Sequence, residues 1–156
     1  MHEPSASGPA NAVTPAPRDI AEVFAAALDA GDLARVSHLL APECECHDSE
    51  LRTSGAAAVV ALYRVAASWA ERGFDDVRHV GAVASQSGGR VRVEVTSMFM
   101  RMPGRWHRLR HTRELAVDGG GRIVAIVHFC EPASAVAFRA FVRGCEVSPP
   151  PAGFGL

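Results

Sequence analysis

The stretch His111–Cys130 reads HTRELAV-DGGG-RIVAIVHFC, two strand-like runs joined by the turn Asp118-Gly119-Gly120-Gly121. Strand side chains alternate between two faces. One face of the first run therefore holds His111, Arg113, Leu115 and Val117, and one face of the second holds Val124, Ile126, His128 and Cys130. The apolar members suit a core, so His111, Arg113 and His128 stand where a packed sheet favours hydrocarbon. Buried polar groups need partners. A polar cluster on an otherwise apolar face points to a ligand pocket.

Working outward, Val77–Gln86, Arg90–Arg101, Trp106–Val117 and Arg122–Cys130 form four candidate strands joined by short turns with Gly88-Gly89, Pro103-Gly104 and Gly119-Gly120-Gly121. Upstream, Ile20, Val23, Phe24, Ala27 and Leu28 give Arg18–Ala30 the apolar spacing of a helix, with Gly31 as its stop. Asp32 is placed to cap a second helix through Leu33, Val36 and Leu40. Glu43–Asp48 reads as a short strand. Ser54 is placed to cap a third helix carrying Val59, Val60, Tyr63 and Trp69 to Gly73, and Ala133–Arg143 reads as a last amphipathic helix. Helices followed by an antiparallel meander define an α+β domain. Residues 18–144 read as this single domain, residues 1–17 as a disordered leader and residues 145–156 as a flexible Pro-rich tail.

Composition excludes several classes. A net charge of −1 gives no electrostatic reason to expect nucleic acid, and no apolar run has the length of a membrane span. All 16 basic residues are arginine, which removes Schiff-base lysine chemistry and suggests a bacterial GC-rich coding bias. Four cysteines, Cys44, Cys46, Cys130 and Cys145, are too few for a disulfide framework, so a cytoplasmic protein with reduced thiols is expected. Cys-x-Cys on a strand is poor zinc geometry, and no metal or cofactor is expected.

The element order, with Leu28-Asp29-Ala30-Gly31-Asp32-Leu33, His47-Asp48 and Asp118-Gly119-Gly120-Gly121-Arg122-Ile123, resembles the SnoaL-like and ketosteroid-isomerase-like superfamily, the nuclear transport factor two-like cone, over roughly residues 18–131. The resemblance implies three helices of the N-terminal half packed on a curved antiparallel sheet, a cone-shaped α+β barrel around an apolar cavity. It also implies the chemistry of polyketide cyclases, isomerases, dehydratases or epoxide hydrolases, or ligand binding without catalysis. Asp48 falls where ketosteroid isomerases keep their base. Phe24 and Arg113 stand where those enzymes have a hydroxyl and a second acid, which argues against steroid isomerisation.

The candidate catalytic residues are therefore Asp48, His111, His128 and Arg113. Asp48 faces inward if Cys44 and Cys46 do, imidazoles suit proton transfer near neutral pH, and a guanidinium suits an oxyanion. Alternatively, Asp48 caps the third helix or binds backbone amides, the histidines are satisfied core residues, and Arg113 pairs with Asp48, Glu114 or a helix carboxylate. Phe24, Cys46, Tyr63, Trp69, Ile126 and Cys130 are expected to line the pocket. Asp75 and Asp76 are weaker candidates for epoxide opening. Thr96, Met98, Met100, Ile123, Ala125, Val127 and Phe129 form an apolar outer face, which predicts a homodimer. The expected function is cofactor-independent acid/base catalysis on a hydrophobic, oxygenated small molecule of natural-product type, or carriage of such a molecule.

Overall fold

The computed structural model describes residues 13–156, so most of the expected leader lies outside the described residues. The elements are α1 (Pro17–Asp29), α2 (Leu33–Leu39), β1 (Leu40–His47), β2 (Arg52–Ser54), α3 (Ala56–Gly73), β3 (Asp76–Ser87), β4 (Arg90–Arg101), β5 (Arg105–Val117), β6 (Ile123–Phe129) and α4 (Pro132–Gly144). Asp32 caps α2 as expected, its Oδ1 accepting the Arg35 N–H at 3.0 Å. Ser54 ends β2 instead of capping α3; the cap position falls to Gly55, and no side chain caps that helix.

Six strands form one curved, unclosed sheet in the order β2-β1-β6-β5-β4-β3. Its neighbours are antiparallel except β1 and β6, which run parallel. This α+β architecture is the expected one, with α4 added to the three earlier helices and one parallel pair in place of a wholly antiparallel sheet. Helix α1 lies close on β3: a Cβ at Gly81 would sit 3.0 Å from the Ala25 Cβ, so glycine is what allows the approach.

The register decides which side chains meet. Arg113 pairs with His128 and Val93, His111 with Val95, and Leu115 with Ile126 and Val91. Directly paired residues share a face, and Val91, Val93, Val95, Leu115 and Ile126 are all buried. The inner face therefore holds the polar cluster. These residues join Phe24, Val36, Val59, Cys44 and Cys46 in one apolar core. Fully burying a side chain such as Phe24 contributes about 2 kcal/mol.

Two expectations change. The pairing shifts between Ala116–Ala125 and Val117–Ile123, leaving Val124 as an extra residue in β6. This bulge turns Ile123 inward, where it is fully buried. The outer face is also less apolar than expected, because Arg108, Arg110, Thr112 and Glu114 of β5 stand between Met98 on β4 and Val127 on β6. Val80, Met100, Trp106 and Phe129 remain as exposed apolar side chains.

The second change is at the C-terminus. Residues 145–156, expected as a flexible tail, fold back over the open end of the cone. Trp69 Nε1 donates to the Ser148 carbonyl at 2.9 Å, and Ser49 Oγ donates to the Leu156 carbonyl at 2.8 Å. Phe154 joins a second apolar cluster with Trp69, Phe74, Phe99, Leu109, Phe138 and Val142. Its ring stacks on Phe138 at 5.8 Å and meets Trp69 edge-on at 5.0 Å.

Candidate active site

The inner face of the sheet carries a band of polar side chains. His79 stands on β3, Ser97 on β4, His111 and Arg113 on β5, and His128 on β6; Tyr63 reaches them from α3. Tyr63 Oη lies 3.2 Å from His128 Nε2, and the Arg113 guanidinium sits 5.7 Å from the centre of the Tyr63 ring, over its face. Phe24 meets the Tyr63 ring edge-on at 6.2 Å. His79 Nδ1 lies 2.8 Å from Ser97 Oγ.

Several groups in this band lack partners. His111 Nδ1, His128 Nδ1, Arg113 Nε and Asp29 Oδ1 are buried with no hydrogen-bond partner among the described residues. Each such group costs about 1–3 kcal/mol of stability. Arg113 forms no ion pair among the described residues: Glu114 faces outward to Arg90 at 2.6 Å, and Asp48 is held by backbone amides. None of the pairings expected for Arg113, with Asp48, Glu114 or a helix carboxylate, is present among the described residues.

Burial and the Arg113 charge set the electrostatics. Burial, reinforced by Arg113, pushes His128 down to about 3 and holds His111 well below the ordinary histidine value. His79 is lowered by burial and by Arg113, partly countered by Asp29. Burial raises the Tyr63 hydroxyl well above its usual value despite Arg113. At neutral pH the band thus holds neutral imidazoles, a neutral phenol, one cation and, beside β3, the Asp29 carboxylate. Cys44 and Cys46 are pushed up to about 11 and about 12, mainly by burial, and stay protonated.

The expected site residues divide into two groups. His111, Arg113, His128, Tyr63, Phe24, Cys46 and Ile126 come together. Asp48 lies past the end of β1, where its Oδ1 accepts the N–H groups of Glu50 at 2.8 Å and Leu51 at 2.7 Å, the backbone-binding alternative. It lines a pocket of about 310 Å³ at the open end, with Glu50, Arg139, Arg143 and the tail. Trp69 and Cys130 belong to the second apolar cluster or pack against it, away from Tyr63. Asp75 accepts the Met102 N–H and Asp76 pairs with Arg78, so neither joins the band.

Sequence reasoning missed His79, Ser97 and the role of Asp29. His79 and Ser97 interrupt the inward alternations Val77-His79-Gly81 and Val95-Ser97-Phe99, a pattern visible in the sequence. Asp29 ends α1, and its Oδ2 accepts the Gly81 N–H at 2.9 Å. The tail covers the band: Gly155, with φ +88°, crosses His128 so closely that a Cβ there would lie 2.7 Å from Nδ1.

A family model described as the SnoaL-like domain matches residues 20–126. No curated protein matches the sequence. Among solved structures, the chain is similar to an LEH-like epoxide hydrolase of Mycobacterium tuberculosis (20% identity, 82% of this chain and 90% of that one, TM-score 0.59). A candidate polyketide cyclase from Pseudomonas putida is 17% identical over 78% of this chain and 96% of its own, with TM-score 0.59. A nuclear transport factor two-like protein of unknown function from Burkholderia pseudomallei is 19% identical over 78% and 95%, with TM-score 0.63. At these identities the likeness is one of fold.

Proposed function

The chain belongs to the SnoaL-like domain family, and within it we propose a cofactor-independent enzyme that moves a proton on a hydrophobic, oxygenated small molecule. Cyclisation, isomerisation and dehydration of a polyketide-type intermediate all begin with such a step. The observation that carries the reading is the contact of Tyr63 Oη with His128 Nε2 at 3.2 Å beneath an unpaired Arg113. With His128 Nε2–H donating to Tyr63 Oη, the phenolic hydrogen is free for a ligand oxygen. The proton leaves a carbon beside a carbonyl and passes to the neutral imidazole of His111. The electron pair moves onto the carbonyl oxygen, whose growing charge is held by Arg113 and the Tyr63 hydroxyl. As that charge develops, it offsets the Arg113 part of the lowering of His111, while the larger part, burial, remains. Asp48 supports the site by shaping the rim.

Deuterium wash-in from heavy water tests this reading. Aryl ketones and β-diketones incubated with the protein should gain deuterium at the α carbon, and Tyr63→Phe and His111→Gln should slow the gain at least tenfold. Equal wash-in by the protein and both variants would falsify the assignment. A carrier of the same fold is the second reading, supported by the low basicity of His128 and His111. It predicts ligand binding with no wash-in at all. Epoxide opening lacks support, because Asp48, Asp75 and Asp76 are all engaged elsewhere.

A homodimer through the outer sheet face belongs to the same proposal, supported by exposed Val80, Met100, Trp106 and Phe129. Sedimentation velocity should give a dimer that Trp106→Arg converts to a monomer. A cytoplasmic setting is supported by four free cysteines. No helix among the described residues is long and apolar enough to cross a membrane.

A further inference from the structure

We propose that the ligand of this site is an apolar, ring-bearing molecule that arrives already carrying one negative charge, a carboxylate or an equally acidic enol, which it places on Arg113. This deepens the proton-transfer reading by fixing the charge class of the substrate: with Arg113 engaged by that charge, the developing oxyanion falls chiefly to the Tyr63 hydroxyl. The proposal rests on that reading only for the location of the site.

The walls around Arg113 carry few charges. From α3 comes Tyr63, a neutral phenol; from β1, two protonated thiols; from β4, the Ser97 hydroxyl. Strands β3, β5 and β6 add the imidazoles of His79, His111 and His128. The one cation among them is Arg113. The one carboxylate in this band, Asp29, holds the Gly81 N–H on β3. Gly81 pairs with Val95, which in turn pairs with His111, so Asp29 is bound to a strand two away from β5. No carboxylate of the described residues lies within ion-pair distance of Arg113.

Arg113 is half-buried and its Nε is buried with no partner among the described residues, a cost that the Tyr63 face offsets only in part. Leaving it so across an otherwise apolar interior makes sense if the counter-charge comes with the ligand. The planar fork suits the two oxygens of a carboxylate or acidic enol. A neutral ligand would desolvate Arg113 further and give no charge in return, so the site selects for an anion. The side chains around it, Phe24, Cys46, Val93, Val95 and Ile126, are apolar and buried, which favours an apolar ring-bearing ligand over a small polar acid.

Calorimetric titration with 2-naphthoate and with its neutral counterpart 2-naphthalenemethanol tests the proposal. Because Gly155 crosses His128 at the open end, both probes are also titrated into Gly155→Ala, whose Cβ forces the chain off the ring. The expected result is naphthoate binding at least tenfold more tightly than the alcohol. Arg113→Met should remove that preference, weakening naphthoate at least tenfold while the alcohol, no longer desolvating a guanidinium, binds as tightly as before or more tightly. It should leave the unfolding temperature unchanged or raised, because a side chain whose buried Nε has no partner is replaced by hydrocarbon. A structural arginine would instead lower that temperature on substitution. Equal affinities for the two probes, including no binding of either in both backgrounds, overturn the proposal, as does a charge preference that survives Arg113→Met. A charge preference without deuterium wash-in would overturn the chemistry and leave the charge class standing. Wash-in without the preference would do the reverse.

Discussion

Tyr63 on α3 and His128 on β6 face each other across the inside of the cone, with 3.2 Å between Oη and Nε2. The contact joins a helix to the central strands and is the one hydrogen bond the His128 ring makes among the described residues, since its Nδ1 has no partner. Tyr63→Phe keeps the ring and its edge contact with Phe24 but leaves the imidazole with no partner at either nitrogen. Stripping a buried polar group of its partner costs about 1–3 kcal/mol. Urea unfolding of Tyr63→Phe should show a loss in that range. No loss would mean that the hydroxyl and imidazole do not meet.

The buried imidazoles make stability depend on pH in a defined direction. His128 titrates near 3 in the folded protein against 6.5 as its ordinary value, and burial is the main cause. Between those values the unfolded chain binds a proton that the folded chain does not, so stability rises with pH across the window. Its contribution is complete above about pH 6.5 and is lost as pH falls toward 3, by about 1.4 kcal/mol per pH unit. His111 shifts in the same direction and steepens the slope. The urea midpoint should therefore be level above about pH 7 and fall steeply between about pH 6 and 4. His128→Gln should remove roughly one proton from that slope. A midpoint independent of pH across this range contradicts neutral burial of the ring.

How far the sequence could be read depended on what sets each feature. Alternation along β5 is local, so His111, Arg113 and Leu115 were assigned to one face from the residues alone, and their pairing with Val95, Val93 and Val91 bears this out. Ile123 was misassigned because a one-residue bulge at Val124 reverses the alternation, and a single bulge leaves no local signature. Asp48 was correctly put near the end of β1. Its grouping with the histidines was an inference across the fold, and two backbone amides hold its Oδ1 instead. In the tail, Pro, Gly and Ser suggest flexibility by composition, and nothing local marks its packing. Phe154, flanked by Gly153 and Gly155, is anchored by an aromatic cluster that forms only after distant segments pack.

That anchoring is testable through Phe154. Phe154→Ala removes one ring from the group containing Trp69, Phe99 and Phe138, and should lower stability by about 2 kcal/mol because the ring is only partly buried. Trp69 is 5% exposed beneath the tail, whereas Trp106 is 59% exposed. In a Trp106→Phe background, the remaining tryptophan emission should resist acrylamide in the parent and be quenched several-fold more strongly after Phe154→Ala. Equal quenching in the two proteins would show that the tail does not cover Trp69.

The account centres on one place, the inner face where Tyr63, His111, Arg113 and His128 meet. A crystal structure of the protein with 2-naphthoate tests it most directly. The predicted result has the carboxylate within hydrogen-bond distance of the Arg113 guanidinium and the Tyr63 hydroxyl, its rings against Phe24 and Ile126, and Gly155 displaced from His128. A naphthoate bound between Arg139, Arg143 and the tail, with the Arg113 guanidinium untouched, would contradict it.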